Sequence, residues 1–344
     1  MDRRSIISPA NITHNAGLIS SALETIFSPN APELSLVHIK RRAMATDFEI
    51  SFPLGTKDAV LMAEDCLDLI SVLENQLSVY IQKSEVVNIN QNAGKSPVVI
   101  EPNLFYLLQK ANSLSHETNQ GFDITAGKLV KLWGFFKGPK RVPSEIEIIN
   151  ILSAFGSDSL ILDPEKKSVF FSKPEMEINL GAIGKGYALD RVKGLLLNKF
   201  GVSTFMIHGG KSSIVCGSSP QNQPKGWPIA INHPWQQNKR IATVFLENRA
   251  LGISAATYNN FESNGFRYGH ILNPKTGYPA NGVATCVVAA ADATSADALS
   301  TAFFVLGADA AIQYCENHKE FGILILPENE KEQVLVVGNL AVEF

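Results

Sequence analysis

Between Ala59 and Leu77 the residues Ala59, Met62, Ala63, Cys66, Leu67, Ile70, Leu73 and Leu77 recur at three- and four-residue intervals. That spacing draws one apolar stripe along a helix of about five turns. Such a stripe must be covered by a second apolar surface, and the neighbouring sequence offers strands for it. Just upstream, the alternation through Phe48, Ile50 and Phe52 reads as a strand that starts its texture at Val37 and ends at Pro53 and Gly55.

Further along, Pro102 opens a second predicted helix with Leu104, Leu107, Leu108, Ala111 and Leu114 on one face. From Ser159 to about Val215 short strands surround a helix near Gly184–Phe200, and Trp227–Ile253 reads as successive strands. Thr294–Gly307 and Ala308–His318 read as helices, Phe321–Leu326 and Gln333–Val337 as strands. Strands and helices fall in groups and do not alternate strictly, so an α+β architecture is expected in place of a doubly wound parallel sheet. Residues 1–36, polar and irregular with a short helix expected at Leu18–Ile26, read as an N-terminal extension. Residues 37–344 read as one domain of mixed sheets with packed helices, with the loop Ser218–Lys225 as the place where a subdomain edge would fall.

Composition removes several classes. A chain of 344 residues that is 45% hydrophobic and 18% charged is neither disordered, collagenous nor coiled coil. A formal charge of −3 leaves no summed positive field to attract nucleic acid or an anionic membrane, so any polyanionic ligand must be met locally. Cys66, Cys216, Cys286 and Cys315 stand singly, with no spacing for a disulfide framework or zinc. Apolar stretches such as Ile323–Leu326 and Cys286–Ala291 fall far short of the ~18 residues that span a bilayer, and no export signal is visible in the first twenty residues. A reduced, cytoplasmic protein without stable membrane insertion is expected.

Three segments can carry chemistry. Ile178-Asn-Leu-Gly-Ala-Ile-Gly-Lys-Gly-Tyr-Ala-Leu-Asp190 places glycines at 181, 184 and 186 after a strand and before a helix. Glycines let backbone N–H groups approach a phosphate, the helix N-terminus adds a partial positive charge, and Lys185 adds a full one. The order G-x-x-G-x-G is neither a Walker A loop nor the dinucleotide G-x-G-x-x-G. A turn that only packs a helix on a strand is the competing reading. In Asp292–Thr301, a helix starting near Thr294 puts Asp297 and Thr301 on one face, where two hard oxygens suit Mg²⁺. Thr294-x-x-Asp297 also fits a capping box, which makes the acid a cap. In Arg267–Pro279, His270 leads an Asn-Pro-Lys-Thr-Gly turn able to hold it at a cleft, although those turn residues are ordinary turn chemistry. Tyr80, after Leu77-Ser-Val, reads either as a ring for stacking or as rim of the core.

Taken in order, these segments resemble the ApbE family, the FAD:protein FMN transferases. The resemblance spans roughly residues 40–337. It rests on Met44-Ala-Thr46, Leu77-Ser-Val-Tyr80 with Ser84-Glu85, Gly121-Phe-Asp-Ile-Thr125 with Trp133-Gly-Phe135, and Leu180-Gly-Ala-Ile-Gly-Lys-Gly-Tyr187 with Asp190. His208-Gly-Gly210, His270-Ile-Leu-Asn-Pro-Lys-Thr-Gly277 and Ala296-Asp-Ala-Leu-Ser-Thr301 complete it. The resemblance implies an enzyme that takes FAD as substrate, uses Mg²⁺, and moves FMN onto a Thr or Ser hydroxyl of an acceptor protein with release of AMP. It puts the metal on the Ala182 carbonyl, Asp297 and Thr301, with Ser300 as a neighbour. It puts flavin contacts on Met44, Tyr80, Gly121, Phe122, Asp123, Asn179, Lys185 and Ile271. It makes His270 a general base or phosphate ligand, with Asp297 the second catalytic residue.

The chain departs from that pattern at Asn179, Lys211 and Asn273, where the family pattern has Asp. Ser254-Ala-Ala-Thr257 likewise replaces a Ser-Thr-Ser-Gly run, and Ala45 stands where the opening Met-Gly-Thr has Gly. Fewer carboxylates mean fewer anchors for Mg²⁺. An FAD pyrophosphatase, a non-catalytic flavin binder and a relative that binds no flavin are therefore alternatives on the same fold.

Overall fold

The computed structural model describes residues 35–221, 223–236, 238–256, 259–329 and 333–344. The helix expected at Leu18–Ile26, nearly all of the extension, and Thr257 lie outside these residues. Met44 and Ala45 adopt φ 48° and 60°, the left-handed pair that a type I′ turn needs. They fold Leu36–Ala43 (β1) back on Thr46–Pro53 (β2) in an unbroken antiparallel register from Leu36–Pro53 to Ala43–Thr46. Two strands thus stand where the alternation suggests one.

Next come α1 (Ala59–Leu77), α2 (Glu85–Asn92), β3 (Val98–Val99), α3 (Pro102–Glu117), α4 (Gly127–Leu132) and α5 (Glu145–Ser153). The middle contains β4 (Leu160–Asp163), β5 (Ser168–Phe171), α6 (Gly184–Asn198), β6 (Met206–Gly209) and β7 (Ser213–Cys216). Then follow β8 (Trp227–Asn232), β9 (Arg240–Leu246), β10 (Ala250–Ala255), β11 (Asn260–Ser263), β12 (Phe266–Gly269) and β13 (Val283–Ala290). The end supplies α7 (Ala293–Leu306), α8 (Ala308–Asn317), β14 (Gly322–Pro327), β15 (Leu335–Gly338) and β16 (Val342–Glu343). The architecture is α+β, as the grouping of elements predicts.

Eight strands form one sheet in the order β1-β2-β6-β7-β10-β13-β14-β15, and each named pair in it is antiparallel. Its two faces have separate cores. Phe48, Ile50, Phe52, Ile207, Val215, Cys286 and Val288 point to the helical side, where the stripe of α1 packs with α6 and α7. Met206, Cys216, Leu251, Val287 and Ala289 point to the other side, which the β16-β9-β8 sheet closes with Trp227, Ile229 and Val244. Buried on both faces, β13 has eight buried positions out of eight and no polar alternation.

Helix α7 runs close against this sheet and against α6 because a glycine in each admits it. A Cβ on Gly252 of β10 would stand 2.2 Å from the Ala296 carbonyl oxygen, and one on Gly186 of α6 would stand 2.1 Å from that of Ala293. Backbone atoms occupy both spaces, so neither glycine can be replaced without moving the helix.

Candidate functional site

The N-terminus of α7 is held by two carboxylates. Asp292 is the cap, its Oδ1 accepting the Ser295 amide at 2.8 Å and the Lys110 ammonium at 2.7 Å. Asp190 of α6 accepts the amides of Ala293 and Thr294, each at 2.8 Å, and the Thr294 hydroxyl. Burial and the charge of Asp292 raise the pKa of Asp190, against the pull of the bonds from Thr294 and Ala293. The helix therefore starts before Thr294, and the capping reading of Asp297 is corrected: Asp297 lies more than a turn inside.

Freed from capping, the Asp297 side chain crosses to α6 and β7. Its Oδ2 accepts the Gly186 amide at 2.8 Å and the Ser213 hydroxyl at 2.8 Å. Its Oδ1 accepts no hydrogen bond among the described residues. Asp297 is 5% exposed, and burial pushes its carboxyl up to about 6 although Lys185, Ser213 and the Gly186 amide pull the other way. Gly186 is the third residue of α6, so its amide has no acceptor within the helix, and Asp297 supplies one. The Ala182 carbonyl, two residues before the helix, accepts no hydrogen bond among the described residues.

On α7 the next turn brings Ser300 and Thr301, whose hydroxyls back-bond to the Asp297 carbonyl at 2.9 and 3.3 Å. Ser254 of β10 lies 3.0 Å from the Ser300 hydroxyl and 3.4 Å from that of Thr301. One buried carboxylate oxygen, one unused carbonyl and a threonine hydroxyl are hard oxygen donors, and they fit a small divalent cation whose other positions go to water or phosphate. No cluster of three or more His, Cys, Asp or Glu suited to a metal exists among the described residues, so such a cation would be held through one carboxylate.

The glycine-rich loop is tied to its neighbours through main chain. The Asn179 amide donates to the Ile124 carbonyl at 2.7 Å, and Asn90 makes two hydrogen bonds with the main chain of Ile178. Asn179 Oδ1 accepts the Gly181 amide at 2.8 Å, a task a carboxylate would also perform, so the departure there removes charge and keeps the turn. At the start of α6 the Lys185 amide has no acceptor among the described residues, and its ammonium lies close enough to act on Asp297. An amide and a cation at a helix N-terminus suit a phosphate oxygen.

Gly121 lies under the far end of α7, where a Cβ would meet Leu306 at 2.5 Å. Phe122 is buried in the core. Asp123 is an anchor: Oδ1 accepts the Thr125 amide and hydroxyl, and Oδ2 accepts the Ser157 amide. Burial still raises its pKa, outweighing those bonds. Met44 sits in the β1–β2 turn, half-buried against the main core.

The third segment joins through Trp133, whose indole N–H donates to the Gly277 carbonyl at 2.8 Å. Phe135 packs edge-on to His270 with ring centres 6.4 Å apart. Asn273 Oδ1 accepts the amides of Lys275 and Thr276, again an acceptor role that needs no charge. Ile271 continues this segment, its carbonyl accepting the Ala280 amide. Lys211 is exposed in the β6–β7 turn. Tyr80 stacks on Phe136, a residue absent from the motifs.

Spacing alone did not reveal Ser213, Gly252, Ser254 or the role of Asp190. Only Gly252 carried a local signal, as a glycine inside a strand.

A profile of the ApbE family matches residues 44–325. The FAD:protein FMN transferase of Haemophilus influenzae is 28% identical over 90% of this chain and 92% of its own. That of Klebsiella pneumoniae is 30% identical over 78% of this chain and 83% of its own. The crystal structure of the ApbE protein of Thermotoga maritima superposes with a TM-score of 0.79 at 27% identity, covering 89% of this chain and 96% of that one. With the match running from the β1–β2 turn into β14, the chain belongs to the ApbE family.

Proposed function

We propose that this chain is a Mg²⁺-dependent FAD:protein FMN transferase, which moves FMN from FAD onto a Thr or Ser hydroxyl of a partner protein and releases AMP. Its relatives in Haemophilus influenzae and Klebsiella pneumoniae carry the name FAD:protein FMN transferase. The observation that carries the reading furthest is the Gly186–Asp297 hydrogen bond, because it fixes Asp297 at the N-terminus of α6 with Oδ1 uncommitted, just after a stretch in which the Ala182 carbonyl has no donor among the described residues.

In this reading Ala182, Asp297 and Thr301 hold the metal. A Mg²⁺ ion held by these groups would supply positive charge to the phosphate oxygens. Lys185 meets the same oxygens with its ammonium and its amide. His270 takes the proton of the acceptor hydroxyl as that oxygen bonds to the FMN phosphorus, and AMP leaves with the bridging oxygen. Met44, Tyr80, Gly121, Phe122, Asp123, Asn179 and Ile271 line or support the place of the flavin half. Loss of charge at Asn179 and Asn273 is compatible with turnover, since both side chains keep the acceptor bonds that shape their turns.

The active unit is taken as residues 37–344, since the eight-stranded sheet draws strands from both ends of that range. A cytoplasmic location belongs to the reading as well, supported by four unpaired, buried cysteines. No helix among the described residues is long and apolar enough to cross a membrane.

The test is incubation with FAD, Mg²⁺ and a candidate acceptor, with AMP measured by chromatography and covalent flavin by mass. Equal amounts of AMP and flavinylated acceptor are expected. AMP with free FMN would make the chain a hydrolase, and saturable FAD binding without AMP would make it a carrier.

A further inference from the structure

Tyr80 follows α1 as an exposed residue, 51% accessible, and its ring is not bare. Phe136 lies parallel to it, ring centres 4.5 Å apart and planes 16° from parallel. Two ammonium groups border the pair: Lys137 is 5.6 Å from the Tyr80 ring centre and 5.3 Å from that of Phe136, and Lys131 is 5.2 Å from Phe136. A flat apolar face edged by cations is what a nucleotide offers its complement to, ring on ring and phosphate on ammonium.

The adjacent phenylalanine behaves differently. Phe135 is buried between Phe261 and His270, while Phe136 is half-exposed on the solvent side. Both sit in a short loop between two glycines with positive φ, 76° at Gly134 and 100° at Gly138. At Gly134 a Cβ would stand 2.3 Å from the Pro139 carbonyl oxygen, so the base of the loop is closely packed; a Cβ on Gly138 would meet nothing within 4 Å. Phe136 and Lys137 sit at the solvent-facing crest of the loop, where the Phe136 side chain can change rotamer while Phe135 stays anchored.

We propose that Phe136 is an internal plug: in the free chain it occupies the face of Tyr80 that stacks on a flat ring of FAD, and it leaves that face when FAD binds. The inference rests on the reading of Tyr80 as an FAD contact. Breaking the Tyr80–Phe136 stack is then part of the cost of binding, and removing Phe136 removes that cost.

FAD is titrated by flavin fluorescence into the full chain, without Mg²⁺ or acceptor, for wild type, Phe136→Ala, Phe136→Leu and Tyr80→Ala. Phe136→Ala is expected to tighten the FAD Kd by about 3–10-fold, the worth of one aromatic stack, with Phe136→Leu in between. Tyr80→Ala is expected to weaken it. Unchanged or weaker binding by Phe136→Ala, with Tyr80→Ala weakened, would overturn the plug alone. An unaltered Kd in Tyr80→Ala would overturn the role of Tyr80 and the plug with it.

Discussion

The Gly186 amide donates to Asp297 Oδ2 at 2.8 Å, across 111 residues of sequence. One hydrogen bond thus does two things: it holds the first turn of α6 against α7, and it satisfies a first-turn amide that has no acceptor within α6. The same closeness makes Gly186 irreplaceable. A Cβ there would be 2.1 Å from the Ala293 oxygen, and that atom is backbone. Gly186→Ala is expected to cost at least about 3 kcal/mol, beyond ordinary overpacking. Urea denaturation checks this, and a wild-type midpoint would contradict it.

Asp190 substitutes for solvent at the start of α7. Its carboxylate accepts two amides and a hydroxyl that no other described group satisfies. Asp190→Ala should lower stability by about 2–4 kcal/mol, more than an ordinary cap, because the stranded amides are partly buried. A loss under 1 kcal/mol would mean that Asp292 alone suffices to start the helix.

Glu49 of β2 lies between His38 of β1, at 2.8 Å, and His208 of β6, at 3.6 Å. Burial opposes its charge, but the attraction of His208 and the hydrogen bond and attraction of His38 outweigh burial and hold the carboxyl well below its ordinary 4.5. A depressed folded pKa contributes stability above pH 4.5 that is lost as pH falls through the folded value. Thermal melts from pH 6 downward should therefore fall more steeply for wild type than for Glu49→Gln. Parallel curves would show that the three strands gain nothing from this ion.

Trp133 ties the loop after α4 to the turn after His270 through one buried N–H···O bond to Gly277. Trp133→Phe keeps an aromatic ring beside Tyr268 and Tyr278 and strands that carbonyl, so a loss of about 1–3 kcal/mol is expected. Equal stability would imply that water or another donor replaces the indole.

Legibility in the sequence tracked the range of the contact. All eight stripe residues of α1 are its buried residues, because helical spacing is a local property. Helix α2 left no such trace: it is eight residues long, mostly polar, and buries only Val86 and Ile89. Helix α5 is marked by a Ser144–Glu147 capping box, yet exposed Ile146 and Ile149 blur its stripe. In the site, motif order picked out Asp297, Thr301 and the glycine-rich loop. Ser213, 84 residues from Asp297 in sequence, is joined to it only by folding. The same holds for Asp190 and Ala293.

The claim at the centre is that Asp297 works through its charge and its unused Oδ1, not through the fold. Asp297→Asn tests this, since an amide oxygen can still accept from Gly186 and Ser213 while the charge is gone. The measurement is the rate of Mg²⁺-dependent AMP release at saturating FAD with an acceptor, beside the FAD Kd measured without metal. A fall of about 100-fold or more in rate with a Kd within about 3-fold of wild type is the expected result. Wild-type AMP release by Asp297→Asn would contradict the account.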